Sequence, residues 1–177
     1  MPAKPVAVET ALVSAVGMDY INLRNLLAAK KWQEADAETA IVMLKVAGRE
    51  KEGWLNTESI DNFPCEDLRT IDQLWVKYSN GRFGFSVQKR IYQSLGRTSK
   101  YDQKVWEAFG DRVGWRKKNS WLYYNDLTFS EKAPEAHLPT AGDVFIRGIE
   151  RRGGRREGVW GCVSGGVVWG VWDWGDL

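Results

Sequence analysis

Between Asp61 and Gln88 the chain reads DNFPCEDLRTIDQLWVKYSNGRFGFSVQ. Leu68, Ile71, Leu74, Trp75 and Tyr78 recur there at three- and four-residue spacing, the period of a helix that buries one face. Val87, Ile91 and Leu95 resume that period after a turn, so the stretch predicts two core helices joined through Asn80, Gly81, Arg82, Phe83, Gly84 and Phe85. Glycine closes a helix by taking the left-handed conformation, and Asn80-Gly81 and Gly96 are placed to do so. The two glycines around Phe83 also let backbone approach something closely, either a neighbouring helix or the face of a ligand. The spacing leaves both open.

Upstream, Asp19 can cap a helix carrying Leu23, Leu26 and Leu27, and Trp32, Ala35, Thr39, Val42, Met43 and Val46 continue the period as far as Gly48. A helical hairpin hinged near Lys30 and Lys31 is the expectation. Residues 1–17, with two early prolines and a closing glycine, suit a flexible arm. Downstream, Lys100 to Phe109 predicts a short helix with Asp102 near its start and Val105, Trp106 and Phe109 on one face. From Gly110 to Pro139 helical period disappears, leaving a long aromatic excursion of the kind that is usually functional or disordered. Val144 to Glu150 suits one or two helical turns, RRGGRR a solvated linker, and Val159 to Trp174 a hairpin about Gly165-Gly166. The expected organisation is therefore an arm over 1–17, one all-α domain over 18–150, and a mobile Gly/Trp-rich tail of low complexity over 151–177.

A chain of 177 residues, 44% hydrophobic, is long enough for one real core and too short for two comfortable ones. Its formal net charge of +2 gives no global field for nucleic acid. Cys65 and Cys162 lie far apart and resemble neither a metal-binding nor a disulfide framework, which favours a reducing compartment. No apolar run reaches membrane-spanning length, and the start lacks the pattern of a secretory signal.

Catalysis finds little support. His137 is the single histidine, and its place between Ala136 and Leu138, just before Pro139, suits a structural turn better than a general base or metal ligand. There is no phosphate-cradling loop, GxSxG elbow or HExxH pair. Asp61, Glu66 and Asp67 surround a helix start, where carboxylates complement the macrodipole. The excursion is different in kind: Arg112, Arg116, Lys117 and Lys118 interleave with Trp115, Trp121, Tyr123, Tyr124 and Phe129. Flat apolar walls beside cationic heads suit a flat ligand with acidic edges, such as a porphyrin with its propionates. Single-stranded nucleic acid also stacks on aromatics, although the near-neutral charge favours the first reading. Trp115 and Trp121 could equally close the core.

The quoted segment closely resembles the genomes-uncoupled family of porphyrin-binding regulators of chlorophyll synthesis, and the resemblance continues through EAFGDRVGW (Glu107 to Trp115) and HLP (His137 to Pro139). It is colinear over residues 18–139. It implies an all-helical domain shaped like a cupped hand, whose apolar concave surface holds protoporphyrin IX or Mg-protoporphyrin IX. Such a protein is not an enzyme. It activates magnesium chelatase together with that enzyme's large porphyrin-binding subunit and is implicated in plastid signalling. Carried onto this sequence, the lips of the cup are the loop from Gly48 to Thr57 and the excursion from Val113 to Phe129. Tyr124 stands where some relatives place a ligand-facing tryptophan, and Arg147 matches a basic residue beyond HLP. Ligand-binding residues are thus expected to be Phe83, Phe85, Arg112, Trp115, Arg116, Trp121, Tyr123, Tyr124, Phe129 and Arg147, with no protein ligand to a metal. The resemblance further implies a monomer of the plastid stroma with some thylakoid or envelope association, or of the cytoplasm in a cyanobacterium. A plastid protein would have lost its transit peptide. A haem- or bilin-binding sensor and a tetrapyrrole-processing enzyme stay open as alternatives.

Overall fold

Six helices form among the described residues: α1 (Ile21–Ala28), α2 (Trp32–Val46), α3 (Thr57–Asp61), α4 (Cys65–Tyr78), α5 (Phe85–Ser94) and α6 (Gln103–Val113). The computed structural model describes residues 12–96 and 102–141. After α6 come two short strands, β1 (Arg116–Lys117) and β2 (Ser120–Trp121), and a single 3-10 turn at Tyr124–Asp126. The strands pair antiparallel, Arg116 opposite Trp121 and Lys117 opposite Ser120. The fold class is all-α, as the period predicts, with this ladder as its one β feature among the described residues.

The expected hairpin of α1 and α2 turns at Lys30, which takes φ 59°. Lys30 N donates to Leu27 O and Lys31 N to Leu26 O, both at 3.0 Å, the paired bonds that close a helix C-terminus. A lysine in a left-handed position is strained, and its side chain is compensated on the far side of the turn. Its ammonium donates to Tyr78 O at 2.5 Å, pairs with Glu131 at 2.9 Å and lies 5.1 Å from the Trp32 ring. Asn80 closes α4 in the same way, with φ 55° and a 2.8 Å bond from Gly81 N to Val76 O.

One core forms where the buried stripes of α1, α2 and α4 meet, with Trp32, Trp75 and Phe83 at its centre. Trp32 stacks with Trp75 at 6.0 Å and meets Phe83 edge-on at 5.3 Å. The buried Trp75 indole donates to Thr39 Oγ1 at 3.0 Å, so its polar edge is satisfied inside the core. A second core joins Val87 and Ile91 of α5 to Phe109 and Val113 of α6, with Ala136 against them.

Several expectations change. Helix α6 runs past Gly110 to Val113 and closes at Gly114, whose φ is 79°. Asp102 does cap it, accepting from Lys104 N at 2.8 Å and Val105 N at 3.3 Å. Asp67 is no exposed cap: it is buried in α4 and accepts from Tyr20 Oη at 2.5 Å, Ser14 Oγ at 2.5 Å and Ala15 N at 2.9 Å. Thr70 also donates to Val13 O at 2.6 Å, so residues 13–15 of the expected flexible arm are tied to α4. Burial and the Asp67 carboxylate hold the Tyr20 phenol well above its ordinary range. Cys65, at the start of α4, is disulfide-bonded, against the expectation of a reduced thiol. Arg147, the expected helical turns over 144–150 and the tail 151–177 lie outside the described residues.

Candidate functional site

The half-buried aromatic rings gather where α6 meets the hairpin. Trp106 stacks on Phe109 at 5.5 Å and lies 5.7 Å from Trp121 at 31°, while Trp115 meets Phe109 edge-on at 5.5 Å. Tyr92 of α5 completes the group against Trp106 at 6.5 Å and Phe109 at 5.6 Å. Phe109 is buried, whereas Tyr92, Trp106, Trp115 and Trp121 each keep part of their surface in water. Gly110 allows this arrangement: a Cβ there would lie 2.6 Å from Trp121 Cη2 and Cζ3.

Arg116 is bound into the same group. Its guanidinium stands 5.5 Å from the Trp121 ring and pairs with Asp111 at 3.0 Å and Glu107 at 3.4 Å. One nitrogen also donates to Asn119 O at 3.3 Å across the turn. Lys118 and Asn119 both take positive φ, 51° and 63°, the geometry of a tight two-residue hairpin turn. With its side chain 6% exposed, Arg116 spends its charge inside the protein.

His137 fixes the rest of the excursion. Its Nδ1 lies 2.6 Å from Val113 O, and its Nε2 accepts from Thr128 N at 3.0 Å. A carbonyl opposite one nitrogen and an N–H opposite the other require the neutral tautomer with the proton on Nδ1. Burial, the largest influence, lowers its pKa from 6.5, which agrees with that neutral form. The His137 carbonyl accepts from the Trp115 indole at 2.8 Å, so a single residue holds the end of α6, Trp115 and Thr128. Both ring nitrogens are engaged in the turn, as the structural reading of His137 expects.

The segment from Ala133 to Ala141 is stitched into the helices behind this face. Arg82 donates twice to Ala133 O, at 2.9 and 2.6 Å, and Gln88 Nε2 reaches Pro139 O at 2.8 Å. Gly84 N donates to Leu138 O at 2.9 Å. Buried Asp36 of α2 accepts from Thr140 N at 2.6 Å, Thr140 Oγ1 at 2.8 Å and Ala141 N at 3.1 Å. Burial raises the Asp36 pKa from 3.8, and these donors, with Tyr124 the weakest of them, pull it back.

The expected ligand residues therefore divide. Phe83 and Phe85 are fully buried and belong to the core, so they are unavailable to a surface ligand. The close approach allowed by Gly84 is to helix α4: a Cβ there would lie 2.7 Å from Val76 Cγ2 and 2.9 Å from Asp72 Oδ1. Arg116 and Trp121 come together against α6 while Trp115 packs on Phe109, but Arg116 is internally paired and offers no ready cation. Arg112, in the last turn of α6, is exposed. Tyr123 is 81% exposed, while Tyr124 and Phe129 pack on each other at 5.1 Å, Phe129 against the first core. The sequence pattern places Trp106 only on a helix face and gives no signal for Tyr92 or Gly110. Their spacing was helical, and nothing local marks which side of that helix the hairpin covers. In the other expected lip, Arg49 lies 5.0 Å from the Trp54 ring and donates to Trp54 O at 3.3 Å.

Among the described residues no group of three or more His, Cys, Asp or Glu side chains could hold a metal ion, and no helix is long and apolar enough to cross a membrane. Chemically, this cluster offers flat, half-wet indoles.

A model of the GUN4-like family matches residues 13–151. A Ycf53-like protein of Synechocystis is 35% identical over 141 residues, 78% of this chain and 57% of that protein. The chloroplastic tetrapyrrole-binding protein of Arabidopsis thaliana is 30% identical over 129 residues, 66% of this chain and 46% of that protein. The chain thus spans about half the length of the curated relatives it matches. Among solved structures, GUN4 from Chlamydomonas reinhardtii matches with a TM-score of 0.64 at 33% identity, over 81% of this chain and 96% of that one. Ligand-free Arabidopsis GUN4 matches with a TM-score of 0.62 at 27% identity, over 75% of this chain and 90% of that one. The matched region contains both cores, the α6–hairpin face and the His137 turn, and this chain is a member of the GUN4-like family.

Proposed function

We propose that this protein binds protoporphyrin IX and Mg-protoporphyrin IX against the half-buried rings of Trp106, Trp115 and Trp121, and that it activates magnesium chelatase without catalysing a reaction itself. The observation that carries this reading is the cluster of half-buried rings, Trp121 on Trp106 and Trp115 joined to them through Phe109, in a chain related to a protein named for tetrapyrrole binding. A macrocycle laid on such a face removes a large apolar area from water, at about 25 cal/mol per Å². In this proposal exposed Arg112 of α6 pairs with a propionate, since Arg116 is already committed to Glu107 and Asp111. Tyr123, Tyr124, Phe129 and Arg147 are further ligand contacts in this proposal, from the loop that follows and beyond it. Neither His137 nitrogen is free to ligate a metal, so the magnesium of a bound porphyrin takes water or another oxygen, in keeping with a hard cation. The partner in activation is the large porphyrin-binding subunit of the chelatase. The setting is the plastid stroma or a cyanobacterial cytoplasm, with peripheral contact to the photosynthetic or envelope membrane and the protein monomeric.

Titrating the purified protein with each porphyrin, read by tryptophan fluorescence, tests the reading. Saturable quenching that survives added salt is expected, because buried area rather than ion pairing supplies the affinity. Unsaturable quenching reversed by salt would sink it, and tighter binding of haemin or a bilin than of either porphyrin would replace it with the sensor alternative. Added to reconstituted chelatase subunits, the protein should raise magnesium insertion and insert none alone.

A further inference from the structure

Gly110 sits eighth of eleven residues in α6, where glycine is among the weakest helix formers. Its presence has a specific counterpart across the hairpin. A Cβ at this position would lie 2.6 Å from two atoms at the six-membered end of the Trp121 indole and 2.9 Å from Arg116 Cδ. Real Cβ contacts do not come so close, and neither neighbour is loose. Trp121 is flanked by Trp106 at 5.7 Å and by the Arg116 guanidinium at 5.5 Å, while Arg116 is held by Asp111 and Glu107. Arg116 even gives up a hydrogen bond in this position, its Nε–H being buried with no partner among the described residues.

We propose that Gly110 is a positioning residue: a notch in α6 that seats Trp121, so that the hairpin presents this indole in one fixed orientation to a flat aromatic dianion. The seat has two parts. Gly110 supplies the absent side chain, and Arg116 holds the hairpin with its charge already neutralised by two carboxylates. Arg116 therefore acts on the ligand through Trp121 rather than by pairing with an acidic edge. A larger residue at 110 lifts the indole away from Trp106 and tilts the wall. The ligand half of this inference rests on the tetrapyrrole reading above, and the seat itself does not.

Gly110→Ala, Trp121→Val and the double variant test it, each compared with the wild-type chain by near-UV circular dichroism, thermal unfolding and titration with protoporphyrin. Gly110→Ala should lose the near-UV signature of the Trp106–Trp121 contact while keeping its helical far-UV signal. It should bind protoporphyrin about three- to tenfold more weakly, the scale of one misplaced aromatic contact. In the Trp121→Val background the same alanine should cost nothing further in either readout. An unchanged near-UV signature and affinity in Gly110→Ala would overturn the proposal. Should Gly110→Ala fail to fold, recovery of folding in the double variant supports the seat, and failure of the double variant refutes it. If the wild-type protein binds no porphyrin, the functional reading falls and takes the ligand half with it. The near-UV and unfolding data then still decide the seat.

Discussion

His137 holds two separated pieces of chain, at Val113 and Thr128, with a neutral ring, so its charge state is a structural variable. Protonating Nε2 would set an N–H against the Thr128 N–H it now accepts from, while the ring stays buried against Val113 O. Its pKa in the fold lies below 6.5 chiefly through burial, so below that value the unfolded chain binds the proton more readily than the native one. Stability from this group is complete above 6.5 and is lost as pH falls through the lower native pKa. Asp36 and Asp72 work with the opposite sign: burial raises both from 3.8, so their contribution is lost as pH rises through the native values. A His137→Gln variant isolates the histidine. It should be less stable near neutrality by about 1 to 3 kcal/mol, because Val113 O or Thr128 N loses its partner. Its unfolding midpoint should also fall less than the wild type's on going from above pH 6.5 to below it. Equal acid sensitivity in the two proteins would refute the assignment. The flanking Ala136 and Pro139 made a turn legible at this residue, but its partners lie nine and twenty-four positions away, beyond any local pattern.

Elements with a sustained period were read correctly, and those held by a single contact were not. Stripes on α2, α4 and α5 repeat over enough turns for burial to fix their faces, and Asp102 announced the start of α6. Helix α3 has only five residues, nucleated by Asn56 accepting from Ser59 N at 2.8 Å, and so shows no period. The end of α6 was misplaced at Gly110, because a glycine that serves Trp121 in space resembles a helix stop in sequence. Gly84 presents the same ambiguity from the other side. Its φ of 138° and ψ of 158° belong to a region that is essentially glycine-only, and a Cβ there would strike Val76 and Asp72 of α4. Asp72 in turn accepts from Ser86 N at 2.8 Å at the start of α5, so displacing it would uncap that helix. Gly84→Ala should cost about 1 to 3 kcal/mol in strain and overpacking combined, measured by chemical denaturation. A cost within experimental error would mean that the α4–α5 junction is softer than its geometry indicates.

At the scale of the whole molecule, the ring contacts of the aromatic cluster lie between Tyr92 and His137 among the described residues, with Val87 and Ile91 of α5 packed beneath, and the buried Asp36 fixes the chain again at Thr140 and Ala141. The family match ends at residue 151, close beyond that anchor. Composition changes there as well, to RRGGRR followed by a segment holding Trp160, Trp169, Trp172 and Trp174. We therefore propose that residues 152–177 are dispensable for tetrapyrrole binding and serve as a docking element for a partner or a membrane interface, where tryptophan beside cationic residues is favoured. The truncation also removes Cys162, one of the two cysteines, while Cys65 is disulfide-bonded. Full-length and truncated proteins are therefore compared with a reductant present, so that loss of a cross-link is not mistaken for loss of a binding surface. Porphyrin affinity should then agree within about twofold, a difference of roughly 0.4 kcal/mol. A fall in chelatase stimulation or in recovery with anionic vesicles, at unchanged affinity, would identify the segment as the docking element. Loss of porphyrin binding or of cooperative unfolding on truncation would instead place residues 152–177 within the folded domain and overturn the boundary.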